Sequence, residues 1–155
     1  RVMREGGLLV FSTFGPDTLV ELREAYAQAG IEPPLSPFAA IQQVGDALVA
    51  QGFKNPVIER DVYTLTYPDT TALMRELKAI GATDARGDRP RGLSGRGRHR
   101  AMAAAYEPLR RNGVLPSTWE VVTAMAWAPP PGAARREGGA DIATFPVEKL
   151  TIRKR

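Results

Sequence analysis

The sequence contains no cysteine and one histidine, His99. The first absence excludes a disulfide framework, thiolate-held metals and a cysteine nucleophile. The second excludes a multi-histidine metal site and argues against a histidine-based triad. No apolar run reaches the ~18–20 residues that a membrane helix needs. Residues 1–11 lack the cationic, then apolar, then small-residue layout of a secretory signal. Internal repeats are absent, and the only low-complexity stretch is the tail. What remains is 155 residues, 43% of them apolar, enough for one core and far from a disordered composition. A soluble cytoplasmic protein is the expectation.

Charge is unevenly spread. Residues 1–85 carry 7 basic and 11 acidic side chains, net −4, whereas residues 86–111 carry 8 arginines against Asp88 and Glu107, net +6. The formal charge of +4 is therefore a local property, one basic segment on an otherwise acidic chain. Such a pattern suits an anionic partner meeting one patch. Arginine outnumbers lysine 17 to 4, which fits carboxylate and phosphate forks and equally fits a general arginine bias.

Periodicity and punctuation predict the order β-α-α-β-α-α-β. Arg1–Gly7 reads as the last turn of a helix with a glycine stop. Gly7–Thr13 follows as a strand whose apolar run, Leu8–Phe11, predicts burial on both faces in a parallel sheet. With no earlier strand to pair with, it reads as part of an α/β domain whose beginning is missing. Thr18-x-x-Glu21 forms a capping-box pattern opening a helix that stops at Gly30. Phe38–Gln51 reads as helical with a break near Gly45, ended by Gly52. Val57–Tyr67 is a strand. Thr70 or Thr71 caps a helix over 72–80, ended by Gly81. Thr83–Leu93 is a loop, Ser94 opens a helix to about Arg111 kinked at Pro108, and Asn112-Gly113 turns the chain. Thr118–Trp127 is a strand with Trp119 and Trp127 in the core. Residues 129–155 read as a Pro/Gly-rich linker and basic tail after a domain over 1–128.

Several stretches resemble one family. Gly6-Gly7-Leu-Leu-Val-Phe-Ser-Thr-Phe-Gly-Pro-Asp-Thr-Leu19 is similar to the fifth strand and following turn of class I S-adenosylmethionine methyltransferases. Asp46–Phe53 is similar to that fold's helix-to-strand passage. Tyr63–Tyr67, Leu73–Thr83 with its Arg75-x-x-Lys78-x-x-Gly81-Ala-Thr83 pattern, and Pro90–Ser94 resemble the malonyl-acyl-carrier-protein O-methyltransferases of biotin synthesis. The likeness covers roughly residues 1–128.

The resemblance implies an α/β fold: an incomplete class I (Rossmann-like) sheet, its C-terminal strands carrying an antiparallel last strand and inserted helices. It implies methyl transfer from S-adenosylmethionine to the free carboxylate of a malonyl thioester on acyl carrier protein, with no metal. The family's glycine-rich loop and ribose-holding acid are missing. Gly95–Gly97 and Gly138–Gly139 neither follow a strand nor open a helix as that loop must. No cofactor-binding residue is therefore assigned here. The cofactor is expected to sit mainly on a missing N-terminal half, and this chain alone is expected to be inactive. That half, or a swapped copy of the chain, is an expected partner.

For the acyl substrate the candidates are Thr13, Phe14, Phe38, Arg75, Lys78 and Thr83. Arg75 and Lys78 lie three apart on one helix face, where two cations suit a carboxylate or phosphate; the plainer reading is a solvated face. Phe14 and Phe38 are candidate walls of the methyl-transfer pocket, with ordinary core packing as the competing reading. Arg86, Arg89, Arg91 and Arg96 are candidates for docking an acidic carrier protein, against a merely solvated loop. A different class of function is a non-catalytic basic module binding an acidic protein or nucleic acid through the 86–111 arginines. Nucleic acid is disfavoured because no aromatics are interleaved with that patch for base stacking.

Overall fold

The computed structural model describes residues 3–35, 37–82 and 95–130, with backbone alone for 135–137 and 140–142. The elements are β1 (Leu8–Phe14), α1 (Val20–Gln28), α2 (Ile41–Ala50), β2 (Lys54–Tyr67), α3 (Thr70–Ala79), α4 (Arg96–Tyr106) with a 3₁₀ turn Glu107–Leu109, and β3 (Leu115–Trp127), followed by the short strands β4 (Arg135–Glu137) and β5 (Ala140–Ile142). The order of the seven longer elements is the one expected. The β4–β5 pair, an antiparallel ladder with Arg136 opposite Asp141, falls where the sequence reads as linker.

The three long strands form one antiparallel sheet in the order β1-β3-β2. Pairing of β1 with β3 is visible at both ends. Gly6 N–H donates to Ala128 O at 3.1 Å and Ala128 N–H to Gly7 O at 2.8 Å, while Gly15 N–H donates to Glu120 O at 2.9 Å. Residue numbers fall on β3 as they rise on β1, which is antiparallel registry. The antiparallel last strand is as expected; what departs from expectation is the burial of β1 on both faces. β1 lies at a sheet edge and alternates, with Leu8 and Val10 more than half exposed. An uninterrupted apolar run does not by itself report two covered faces.

Three further local corrections follow, the first with a tertiary cause. Thr18 and Glu21 do not make a capping box. Helix α1 begins instead after Leu19, held at φ 59° with no side-chain cap, because β3 recruits both polar groups, as described below. Helix α3 is capped by Asp69, whose carboxylate accepts from Ala72 N–H at 2.8 Å, rather than by Thr70 or Thr71. Helix α2 runs through Gly45 without a break. Gly30, Gly52 and Gly81 take φ of 66°, 79° and 75°, the left-handed values that stop a helix cheaply only at glycine. Asn112 and Gly113, both at positive φ, close a tight turn between Arg111 and Val114.

The chain divides into two compact units. One comprises residues 1–13, 39–60 and 122–155, and its buried cluster is Leu48, Ala124 and Ala126 with Leu9, Phe11, Val44, Phe53 and Ile58 packed against it. The other comprises residues 14–38 and 61–121 and has the larger core, including Leu19, Leu22, Leu73, Leu77, Met102, Tyr106 and Leu115. Trp119 belongs to that second core, but Trp127 is exposed, contrary to expectation.

Candidate functional site

The candidate site lies in the second unit and starts at the turn after β1. Gly15 is pressed against the Glu120 side chain: a Cβ there would stand 2.3 Å from the Glu120 carboxyl carbon, so any larger residue must push that side chain aside. Glu120 is itself buried, and its Oε2 accepts from Asp17 N–H at 2.6 Å. Thr18 Oγ1 donates to Glu120 O at 2.9 Å and accepts from Glu120 N–H at 3.0 Å. Leu19 N–H donates to Thr118 O, and Thr118 donates through both N–H and hydroxyl to the Glu21 carboxylate. Arg23 closes the turn by donating to the carbonyls of Pro16 and Thr18. The sharp strand-to-helix turn is therefore fixed by β3, and its Gly15, Asp17 and Leu19 N–H groups are all consumed internally.

That occupancy decides what the turn can bind. A cradle for a nucleotide-like cofactor needs free backbone N–H groups at such a turn; this one offers none at those three positions. Gly95 and Gly97 stand at the start of α4, preceded by no described strand. The N–H groups of Gly15, Asp17 and Leu19 are therefore not available to S-adenosylmethionine. Among the described residues there is also no cluster of three metal-ligating side chains.

The fixed turn aims Phe14. Its ring meets Phe38 edge-on at 5.7 Å and Trp119 edge-on at 5.3 Å, geometry favoured by aromatic quadrupoles. Phe14 and Phe38, 24 positions apart in sequence, are thus brought together. Thr13 precedes them, half-buried on β1.

A second feature of this unit is a pocket of about 240 Å³. Helix α1 contributes Leu22 and Tyr26, the following loop Pro34 and Leu35, and α3 Met74 and Leu77, with Lys78 and Ala82 completing the lining. An apolar wall with one cation suits a flexible chain ending in, or interrupted by, an anion. Burial raises the Tyr26 hydroxyl above its usual range, an effect that Arg98 partly offsets. Arg75, one turn before Lys78, is exposed and outside the pocket lining; the pair is not brought to one cavity. Arg96 is exposed at the first turn of α4. Thr83, Arg86, Arg89 and Arg91 lie outside the described residues.

Two arginines of the basic segment serve the fold. Arg110 forks onto Glu107 and donates to the carbonyls of Pro68 and Gly113. That hydrogen bonding lowers the Glu107 carboxyl below its usual range. Arg111 donates to the carbonyls of Pro108 and Arg110.

The composition of the site includes residues that the sequence reading missed: Glu120, Tyr26, and the buried polar row Tyr67, Tyr106 and Ser117. A usable signal existed on β3, where Ser117 and Glu120 interrupt a mostly apolar strand at positions that a polar residue occupies only with a partner or a purpose.

No family model matches the chain. Curated relatives do. It is 54% identical over 156 residues to the malonyl-[acyl-carrier protein] O-methyltransferase of Xylella fastidiosa (strain M23), covering 100% of this chain and 53% of that protein. This chain is a homologue, over about half their length, of the malonyl-[acyl-carrier protein] O-methyltransferases. The protein of that name from Nitrosospira multiformis is 47% identical over 131 residues, 84% of this chain and 43% of the relative. A biotin biosynthesis bifunctional protein BioHC from Saccharophagus degradans is 42% identical over 128 residues, 78% of this chain and 23% of the relative. The enzyme class, methyltransferase, and the metabolic setting, biotin synthesis, follow for the family. Among the described residues no helix is long and apolar enough to cross a membrane.

Proposed function

We propose that this chain is the acyl-substrate half of an S-adenosylmethionine-dependent methyltransferase that esterifies the free carboxylate of malonyl-acyl carrier protein in biotin synthesis. The observation that carries the reading is the 54% identity to a malonyl-[acyl-carrier protein] O-methyltransferase across all of this chain. The sheet order β1-β3-β2 with antiparallel β3 accords with the C-terminal strands of a class I methyltransferase sheet. S-adenosylmethionine, held by sequence outside this chain, supplies the methyl group when bound.

In this reading each part of the second unit has a task. Lys78 holds the malonyl carboxylate or the phosphate of the carrier's prosthetic arm, and the apolar lining around it accepts the methylene chain. Phe14 and Phe38 wall the reacting end and keep water out; a dry site strengthens the attraction between carboxylate and cation. Arg75 and Thr83 complete the substrate contacts, and Thr13, which belongs to the other compact unit, is given no task. Arg96, with Arg86, Arg89 and Arg91, meets the acidic carrier protein, where rim charge mainly speeds association. The chain by itself does not turn over.

The test is methyl transfer from labelled S-adenosylmethionine to malonyl-acyl carrier protein. It is run with this chain alone, and with the chain joined to the part of the Xylella relative that it does not match. Labelled ester from the joined protein only is the expected result. A folded joined protein that leaves malonyl-acyl carrier protein unlabelled would overturn the substrate, and turnover by the chain alone would overturn the placement of the cofactor.

A further inference from the structure

Two helix faces and two glycine stops shape the pocket of the second unit. On α1, Leu22 and Tyr26 are one turn apart. On α3, Met74, Leu77 and Lys78 follow the i, i+3, i+4 spacing that puts side chains on one face. Gly30 turns the chain after α1, with Ile31 N–H donating to Tyr26 O at 2.9 Å, and Pro34 and Leu35 then join the lining. Gly81 turns it after α3, with Ala82 N–H donating to Leu77 O at 2.9 Å, and Ala82 joins it too.

The lining is graded. Leu22 and Leu77 are buried and form the floor. Tyr26, Leu35 and Met74 are half-buried walls, and Pro34, Lys78 and Ala82 are exposed at the rim. Lys78 is the one charged residue among them. A lysine so placed lays its stem along apolar surface and keeps its ammonium in water.

Size and polarity together define an occupant. An apolar cavity of about 150 Å³ holds one benzene. By the same filling, the 240 Å³ here holds about nine or ten heavy atoms. A malonyl group has a single methylene between two polar carbons; at Lys78 it leaves the leucine floor uncovered. A second charge at the far end of a longer ligand would be buried against Leu22 and Leu77 at high cost, and a cationic ligand would meet Lys78. The fit is a saturated chain with one terminal anion.

We propose that this pocket binds a medium-length fatty carboxylate of about six to eight carbons, its carboxylate at Lys78 and its tail on Leu22 and Leu77. Where Lys78 takes the malonyl carboxylate, as the proposed function has it, the fatty acid competes for the same cation and restrains methyl transfer. That competition rests on the acyl-substrate reading; the binding does not.

The experiment follows the Met74 methyl ¹H–¹³C signal of this chain, distinguished from Met3, Met102 and Met125 with Met74→Leu. The probes are butanoate, hexanoate, octanoate, decanoate, 1-octanol and malonate. Saturable shifts are expected, with affinity rising about 2- to 4-fold per methylene up to octanoate and then levelling. Malonate, which has no tail, should bind at least about tenfold more weakly than octanoate. 1-Octanol should bind about 3- to 5-fold more weakly, the worth of one exposed ion pair, and Lys78→Met should remove that difference. Ala82→Trp, at the exposed rim, should fill the pocket and abolish the response, with an unmoved signal from the buried Met102 reporting an intact core. A Met74 signal unmoved by octanoate, an affinity indifferent to chain length, or 1-octanol bound as tightly as octanoate overturns the proposal. In an active joined enzyme, octanoate should raise the apparent KM for malonyl-acyl carrier protein and leave kcat unchanged; a lowered kcat alone overturns the competition. An active joined enzyme with a silent Met74 refutes this site alone. Octanoate binding upholds the site even where malonyl-acyl carrier protein is not methylated.

Discussion

The two units use the same strands differently. The unit of residues 14–38 and 61–121 buries Leu22, Leu73, Met102, Tyr106 and Leu115 almost completely and clasps its first turn through Glu120. The unit of residues 1–13, 39–60 and 122–155 gathers one leucine and two alanines into its buried cluster. Exposed apolar side chains occur in both, Leu8, Val10, Val49 and Val57 here and Val62, Tyr63, Leu65 and Ile80 in the other, so the contrast lies in the cores. The difference teaches where precision resides. The aromatic pairs and the pocket lysine belong to the first of these, whose packing can hold side chains to a fixed geometry. The other holds most of the edge strand β1, a feature that calls for cover rather than for chemistry.

The largest expected effect is on stability. Leu22→Ala should cost about 3–5 kcal/mol, and Leu48→Ala no more than about 2 kcal/mol, because the second side chain sits in a thin core that loses fewer contacts. Urea unfolding followed by amide exchange in each unit separates the two; equal losses would erase the contrast. Next comes the clasp. Gly15→Ala should cost about 1–3 kcal/mol by forcing the Glu120 carboxylate aside, and the penalty should shrink in a Glu120→Ala background, which a double-mutant cycle measures. Thr18→Ala should cost about 1–3 kcal/mol by stranding the buried Glu120 N–H.

Smaller effects are pH-linked. Tyr26, Tyr67 and Tyr106 are all raised from 10.0, mainly by burial, and all lie in the better-packed unit. Below pH 10 folded and unfolded forms carry the same protons there. Above it the folded form retains protons that the unfolded form has released, so stability falls as pH rises. Tyr106→Phe should flatten that alkaline decline. At the acid end the sign reverses. Glu107 is lowered from 4.5 by Arg110, so its contribution is present above 4.5 and is lost as pH falls through the lower folded value. It is small because the pair is exposed, and Glu107→Gln should remove it.

Much of the fold was legible because its signals are local. The glycines at 30, 52 and 81 stop helices by backbone freedom alone, and the β-branched stretch ending at Tyr67 could only be a strand. What failed depended on partners far away in sequence. Leu8–Phe11 reads as doubly buried until β1 is seen at a sheet edge beside β3. Thr18 and Glu21 read as a cap until Glu120 and Thr118, about a hundred residues later, claim them. The site divides along the same line. Phe14, Phe38 and Lys78 can be nominated from the sequence; the structure brings Phe14 and Phe38 together and places Lys78 in a pocket lining. The clasp of Gly15 and Thr18 on Glu120 depends on a partner about a hundred residues away, which no single segment encodes.

The most direct test of the division between the units is an amide NMR titration of this chain with malonyl-phosphopantetheine. Shifts concentrated at Tyr26, Met74 and Lys78, with Leu8–Thr13 and α2 silent, are the predicted result. Shifts confined to β1 and α2, with Lys78 stationary, would contradict the assignment of substrate recognition to the better-packed unit.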